Sequence, residues 1–251
     1  MNPVVALIIA NVIWGAASPI FKFSLENIPP FTLAFIRFFF ASLFFLPFLR
    51  GIRMSILTKR EWLELFLGSF FGISVNITFF FLGLQRTQSI NAPIIASAGP
   101  VFLFFLSVLF LGEKARQKVF IGMLVALFGV LTIILSPFFL DGEEIVLGEV
   151  TGNIFFVLAT LGAVSHALFY KKVLKKMNSL QVTGIGFIIG SLSFVPFMLG
   201  ELQQWSFAEL NINGWTGILF GVFLSSALAY FLYNYGLSKI DAQEVGLFTY
   251  I

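Results

Sequence analysis

The sequence predicts an all-α membrane protein, a polytopic helix bundle built from two inverted-topology repeats. Three observations predict this class. Of the 251 residues, 59% are hydrophobic and only 11% are charged, whereas soluble domains are about one-quarter charged. The apolar residues occur in runs close to the ~20 residues that a helix needs to cross a bilayer. A ten-residue segment also occurs twice, as SLFFLPFLRG at 42–51 and SLSFVPFMLG at 191–200.

Eight complete apolar runs follow one another along the chain. They lie at 3–24, 31–49, 62–84, 90–111, 118–139, 151–170, 180–199 and 215–237. Continuous runs favour helices over the alternating strands of a membrane barrel, because a helix satisfies its own backbone hydrogen bonds in lipid. A ninth run begins at Gln243 and the sequence ends at Ile251. We therefore expect eight complete helices and the start of a ninth, with ten helices in the full protein.

The duplicated segment defines the domain organisation. Its two copies are 149 residues apart, and two GxxxG pairs recur at the same offset, namely Gly68/Gly72 and Gly217/Gly221. A fixed internal period indicates a repeat, so we divide the chain into a first five-helix repeat at 1–139 and a C-terminally incomplete second repeat at 150–251. Five runs precede the second repeat, and an odd number of spans inverts its orientation. The glycine pairs predict close contacts between helices.

Charged residues between the runs predict the orientation in the membrane. If the runs are consecutive spans, 12 of the 15 Lys and Arg residues lie on one face, whereas the opposite loops carry mainly Asp and Glu. The positive-inside rule then predicts a multi-pass protein of the plasma or inner membrane with a cytoplasmic N-terminus. The net charge of +3 is thus a topology signal, and we expect no nucleic-acid partner. The absence of Cys excludes disulfides and thiolate metal sites.

The first repeat carries a recognisable pattern of residues. It comprises Trp14-Gly15, Lys22, Pro30, Arg37, Pro100 before an apolar helix, Leu111-Gly112-Glu113, Gly122 and Gly129. This pattern resembles the EamA-type transporters of the drug/metabolite transporter superfamily, and the segment SSALAYFLYNYGLSKIDA at 225–242 looks like the same unit in the second repeat. The resemblance implies a transporter with its cavity between the two repeats. The chain departs from the family pattern in lacking the end of helix 9 and all of helix 10.

A solute carrier needs polar side chains that face the bundle interior within the membrane. Run 1 carries such residues at helical spacing on one face, and runs 2, 3, 6 and 8 add others. The candidate cavity residues are Asn11, Trp14, Ser18, Lys22, Arg37, Asn76, His166, Ser226, Tyr230, Tyr233 and Asn234. Simpler interpretations stay open for several of them. The face of run 1 also fits a packing seam of small residues, and Lys22 also fits a side chain that reaches the membrane interface.

Two of these residues carry the most chemistry. Arg37 lies about seven residues into run 2, so it should face protein or water. It either attracts an anionic group such as a carboxylate or pairs structurally with Glu26 or with backbone carbonyls. His166, the only histidine, either forms a hydrogen bond in a packed interface or contacts a proton or substrate. The tyrosines of run 8 either face substrate or bond between helices.

The residue types argue against a membrane-embedded enzyme. Such an enzyme needs a nucleophile with a base, a carboxylate pair or metal ligands, and no Asp or Glu lies at the centre of a complete run. We therefore expect no catalytic residue, no metal and no cofactor. The expected function is export of a small organic metabolite, amino-acid-like or drug-like, by alternating access between the repeats. A lipid or lipid-linked-sugar flippase is the alternative. The expected partners are the bilayer and a small-molecule substrate, and a homodimer stays open.

Overall fold

The computed structural model describes residues 1–52, 54–112 and 146–250, together with 125, 128–129 and 131–132. Within this described part the secondary structure is helical and no β-strand is present. Seven of its helices are long and apolar enough to cross a membrane, which confirms the all-α polytopic class. The fifth predicted run, at 118–139, lies outside the described residues apart from those five positions.

Eight helices make up most of the described part of the chain. They are α1 (Pro3–Ser24), α2 (Pro30–Leu49), α3 (Lys59–Arg86), α4 (Asn91–Phe110), α5 (Val146–Val173), α6 (Ser179–Glu201), α7 (Ile212–Lys239) and α8 (Ala242–Leu247). A short turn divides α4 after Ala96, and its second piece begins at Gly99. The predicted start of a ninth helix corresponds to α8 and a single 3₁₀ turn at Phe248–Tyr250.

Side-chain caps explain where several helices begin. Asn2 accepts a hydrogen bond from the backbone of Val4 at the start of α1. Thr58 and Glu61 form a reciprocal capping box before α3, and a similar box precedes α6. These polar residues satisfy backbone N–H groups that the first helical turn leaves without partners.

A carboxylate from the second repeat caps a helix of the first. Glu201, at the end of α6, accepts hydrogen bonds from the backbone N–H groups of Phe31 and Thr32 at 3.1 and 2.6 Å. It also accepts one from the Thr32 hydroxyl at 2.8 Å. A negative charge is favourable at a helix N-terminus because backbone donors and the helix dipole both point there. The end of α6 is thereby bonded to the start of α2.

The helices pair in a pattern that relates the two repeats. α2 packs against α6, and these are the two helices that carry the duplicated segment. α1 packs against α7, and α3 packs against α5. In the two repeats α1 corresponds to α5, and α3 corresponds to α7. The α1–α7 pair and the α3–α5 pair are therefore equivalent contacts. This equivalence is the pseudo-symmetry of inverted repeats, with the interface between the halves at the centre.

Both third helices contain a π-helical segment at corresponding places. These segments are Phe70–Val75 in α3 and Phe220–Leu228 in α7. Wider π turns occur often at functional sites. In each case an aromatic side chain of the other repeat donates to a carbonyl of the segment. Tyr230 Oη donates to Gly72 at 3.3 Å, and Trp14 Nε1 donates to Ser225 at 3.1 Å.

The GxxxG pairs form the close contacts that their pattern predicts. A Cβ added at any of the four glycines would meet a side chain of the opposite repeat within 3.4 Å. The facing pairs are Gly68 with Tyr170, Gly72 with His166, Gly217 with Ser24, and Gly221 with Arg37. Glycine at these positions lets the third helix of each repeat approach the opposite half closely.

Lys22 binds the end of a helix in its own repeat. Its ammonium group donates to the backbone carbonyl of Leu84 and, at 3.0 Å, to that of Thr87. These carbonyls belong to the last turn of α3 and the residue that follows it. A cation is favourable there because the last carbonyls of a helix have no partners within the helix and carry its negative dipole end.

Lys171 makes the equivalent contacts in the second repeat. It donates to the carbonyls of Leu237 and Ile240 at 2.9 and 2.6 Å, at the end of α7. Lys171 follows Lys22 by 149 residues, the offset of the duplicated segment. The two lysines therefore occupy corresponding positions and bind their own repeat's third helix in the same way.

Candidate substrate cavity

A cavity of about 570 Å³ lies where the two repeats meet. Its walls come from α1 to α5, from α7 and from the segment that includes α8. The volume falls within the roughly 300–1,000 Å³ range of small-molecule pockets. Most of the wall is apolar or aromatic, with a small number of polar side chains. Such a composition suits an apolar ligand that a few polar contacts orient.

Most of the residues that the sequence nominates meet at this cavity. Those that line it are Asn11, Trp14, Ser18, Arg37, Asn76, His166, Tyr230 and Tyr233. Three others do not line it. Lys22 binds the carbonyls at the end of α3, Ser226 lies behind Arg37, and Asn234 lies behind His166. The structure thus brings together side chains from five helices, α1, α2, α3, α5 and α7.

Arg37 is the one charged residue in the described wall. Its side chain is only 1% exposed. Nε donates to the Ser226 hydroxyl at 2.9 Å, and Nη2 donates to the Ser225 hydroxyl at 3.0 Å. Nη1 is buried and has no hydrogen-bond partner among the described residues. No ion pair with Glu26 is present within the described part of the chain.

Aromatic rings surround the Arg37 guanidinium. Its central carbon lies 4.7 Å from the ring centroid of Phe21, 4.6 Å from that of Phe38 and 5.9 Å from that of Phe81. Ring faces stabilise a desolvated cation without neutralising it. The site therefore keeps its positive charge, and the buried Nη1 is the guanidinium nitrogen that has no hydrogen-bond partner among the described residues.

His166 belongs to a hydrogen-bonded chain that joins three helices. Its Nε2 lies 2.9 Å from Asn234 Oδ1, and Asn234 Nδ2 donates to the Thr183 hydroxyl at 2.9 Å. Thr183 in turn donates to the carbonyl of Ser179 at 2.7 Å. Because Asn234 Nδ2 donates to Thr183, the amide oxygen Oδ1 faces His166. An amide oxygen only accepts hydrogen bonds, so Nε2 is the ring nitrogen that carries the proton in this arrangement. The chain holds His166 of α5 against α7 and α6.

An aromatic cluster lies beside His166, whose ring centroid is 5.7 Å from that of Tyr230 and 6.1 Å from that of Tyr233. The Trp14 ring packs against Tyr230 and Tyr233 with centroid distances of 5.1 and 5.2 Å. Asn76 donates from its amide to the carbonyl of Ala159 at 2.7 Å, across the α3–α5 contact. These bonds hold the lining residues in place, because buried polar groups in lipid have no water as a partner.

Several lining residues could not be recognised in the sequence. Phe21, Phe80 and Phe156 line the cavity, but the chain contains 35 phenylalanines and nothing local separates these from the lipid-facing ones. Ser225 did have a signal, because it adjoins the nominated Ser226 in an apolar run. Its hydroxyl binds Arg37, whereas its carbonyl accepts from Trp14.

Two inverted helical halves around a central cavity with a few polar side chains are the architecture of a membrane transporter. The model of the EamA-like transporter family matches residues 1–135 and 150–251. The chain belongs to this family, and it is a multi-pass membrane transporter.

Similar proteins carry transporter names. The chain is 28% identical to the uncharacterized transporter YetK of Bacillus subtilis, over 99% of this chain and 76% of that protein. It is 27% identical to an uncharacterized transporter of Archaeoglobus fulgidus, over 99% of this chain and 85% of that protein. A crystal structure with 17% identity superposes with a TM-score of 0.64, covering 96% of this chain and 82% of the other, and shows a shared fold.

Proposed function

We propose that this protein exports a small organic solute across the plasma or inner membrane, through the cavity between its two repeats. The position of that cavity carries the proposal, since polar side chains from both halves converge on it. Transporters with inverted repeats move solutes when one half rocks against the other about a central site.

The bonding within each repeat supports rocking of the two halves. Lys22 joins α1 to the end of α3 in the first repeat, and Lys171 joins α5 to the end of α7 in the second. Neither contact crosses between the repeats, so a rocking motion leaves both intact. Contacts that do cross, such as Glu201 on the start of α2, are the ones that such a motion changes.

Filling the cavity provides the test of this function. A Cβ added at Gly15, which lines the cavity, meets no atom within 4 Å. A Gly15→Phe side chain therefore leaves the backbone into open space at the cavity wall. Gly200 offers a matched control, because it too has open space around it and lies outside the cavity wall.

The assay compares metabolite levels inside and outside cells that express each variant at equal membrane abundance. We expect the unsubstituted protein to lower the internal level of at least one organic solute relative to an empty vector. Gly200→Phe should retain this effect and Gly15→Phe should lose it. No change in any solute with the unsubstituted protein would contradict the proposal. Full activity of Gly15→Phe would show that the solute does not pass through this cavity.

We also propose that the N-terminus is cytoplasmic, as the distribution of basic residues predicts. The chain has no Cys, so single introduced cysteines report on sidedness without background. Gln203 and Lys175 are both exposed and follow α6 and α5 respectively. A membrane-impermeant maleimide added to intact cells should label Gln203→Cys, and it should label Lys175→Cys only after permeabilisation. The reverse pattern would reject this orientation.

A further inference from the structure

The positive charge of Arg37 has no balancing charge in the described wall of the cavity. The guanidinium is always protonated, and its bonded partners Ser225 and Ser226 are neutral. The described lining contains no Asp or Glu. An unpaired charge in a low-dielectric site is costly, and ionisable residues within membranes usually have a partner. The cavity is therefore complementary to one negative charge.

The hydrogen-bond geometry indicates where that charge would bind. Two guanidinium nitrogens are held by the serine hydroxyls, whereas Nη1 is buried without a partner. Phe21 and Phe38 lie close to the central carbon and limit approach to the guanidinium. A carboxylate that accepts from Nη1 gains a charge-assisted hydrogen bond, which is about twice as strong as a neutral one.

The remainder of the wall restricts what else the solute can carry. With no carboxylate in the described lining, the ammonium group of a zwitterion would lose its water without gaining an ion pair. A second negative charge would be equally unpaired, because Arg37 is the one cation there. Trp14, Phe80 and Phe156 instead present apolar surface, which favours an apolar body.

We infer that the solute is a small monocarboxylate with an apolar or aromatic body, whose carboxylate binds the guanidinium of Arg37. This inference rests on the transport function proposed above and narrows it. It sets simple organic acids apart from zwitterionic amino acids and from dianions.

Four ligands that share a phenyl ring test the inference on the purified protein in lipid nanodiscs. They are phenylacetate, its uncharged amide phenylacetamide, the zwitterion L-phenylalanine and the dianion phenylmalonate. Isothermal titration calorimetry at neutral pH gives each dissociation constant. We expect phenylacetate to bind at least about ten-fold more tightly than each of the others, as a hydrogen bond to a charged group predicts. Equal or tighter binding of any other ligand, or no binding of phenylacetate, overturns the inference.

Substitution of Arg37 supplies the second measurement. Arg37→Met should remove the preference for phenylacetate over phenylacetamide while the amide still binds, since the apolar wall is unchanged. A folded Arg37→Met protein that retains the preference overturns the inference. If Arg37→Met does not fold, the comparison of four ligands on the unsubstituted protein decides alone.

Exchange of labelled phenylacetate in proteoliposomes separates this inference from the transport function. Phenylacetate binding without exchange, in a protein that redistributes no other solute, rejects transport and leaves the binding class standing. Redistribution of a neutral or cationic solute that Gly15→Phe abolishes, with no phenylacetate binding, rejects the monocarboxylate and leaves transport standing.

Discussion

Replacing Lys171 by Met should destabilise the protein measurably. Methionine keeps an unbranched apolar side chain of similar length, so the change removes chiefly the ammonium group. The carbonyls of Leu237 and Ile240, now bonded at 2.9 and 2.6 Å, then lose their donor. Both belong to the end of α7, where the backbone offers no alternative partner.

The contacts set the size of the effect. A hydrogen bond to a charged group contributes about 1.5–3 kcal/mol, and a cation at a helix C-terminus adds about 0.3–1 kcal/mol. Lys171 is half-buried, so water replaces part of what the carbonyls lose. We expect the free energy of unfolding to fall by about 2 kcal/mol. Lys22→Met should have a similar effect, because Lys22 makes the corresponding contacts at the end of α3.

The assay is unfolding by sodium dodecyl sulfate in mixed micelles, followed by circular dichroism. Lys239 provides the matched control, since it is an exposed lysine in the last turn of the same helix. Lys239→Met should change the free energy of unfolding by less than about 0.5 kcal/mol. If Lys171→Met unfolds at the same detergent fraction as Lys239→Met, the carbonyl contacts do not stabilise α7 and the reasoning is refuted.

Two further stability predictions use the same assay. Gly72→Ala places a Cβ against the His166 side chain and should lower the free energy of unfolding by about 2 kcal/mol. Its control Gly200→Ala has open space around the added Cβ and should stay within about 0.5 kcal/mol of the parent. Equal effects of the two substitutions would show that α3 and α5 separate enough to accommodate the Cβ without loss of stability. Glu201→Gln removes the negative charge at the start of α2 and should lower the free energy of unfolding by about 1 kcal/mol, a loss that should shrink in high salt. An unchanged midpoint for Glu201→Gln would show that the amide caps α2 equally well.

The predicted run 3–24 matches the helix Pro3–Ser24 at both ends, whereas other runs fall short of the ends of their helices. The third run, 62–84, corresponds to a helix over Lys59–Arg86, and the last complete run, 215–237, to one over Ile212–Lys239. The additional turns carry polar and charged residues, which hydropathy excludes. They form because caps such as Thr58 satisfy the first backbone donors, and because helices extend past the hydrocarbon core into the interface.

Helical spacing predicts the face of α1 but not the neighbour that each residue on it meets. Asn11, Ser18 and Lys22 share that face, because they are seven and four residues apart. Asn11 and Ser18 line the cavity, whereas Lys22 lies at the helix end, against the carbonyls of α3. Only the position of a second helix separates these environments. The 149-residue offset already relates Lys22 to Lys171 in the sequence. Their shared role became visible only in the structure, where each lysine binds carbonyls at the end of a helix.

The sequence by itself determined the class, the order of the spans and the inverted duplication. Composition, run length and internal similarity are local or one-dimensional properties, and the bilayer imposes the first two on any chain whose helices cross it. The tertiary structure alone decided which polar groups meet. The guanidinium of Arg37 binds Ser225 and Ser226, which follow it by 188 and 189 residues, and leaves Nη1 without a partner. Spacing along one helix determines only which face a side chain occupies. The group that it contacts depends on how helices of opposite repeats pack.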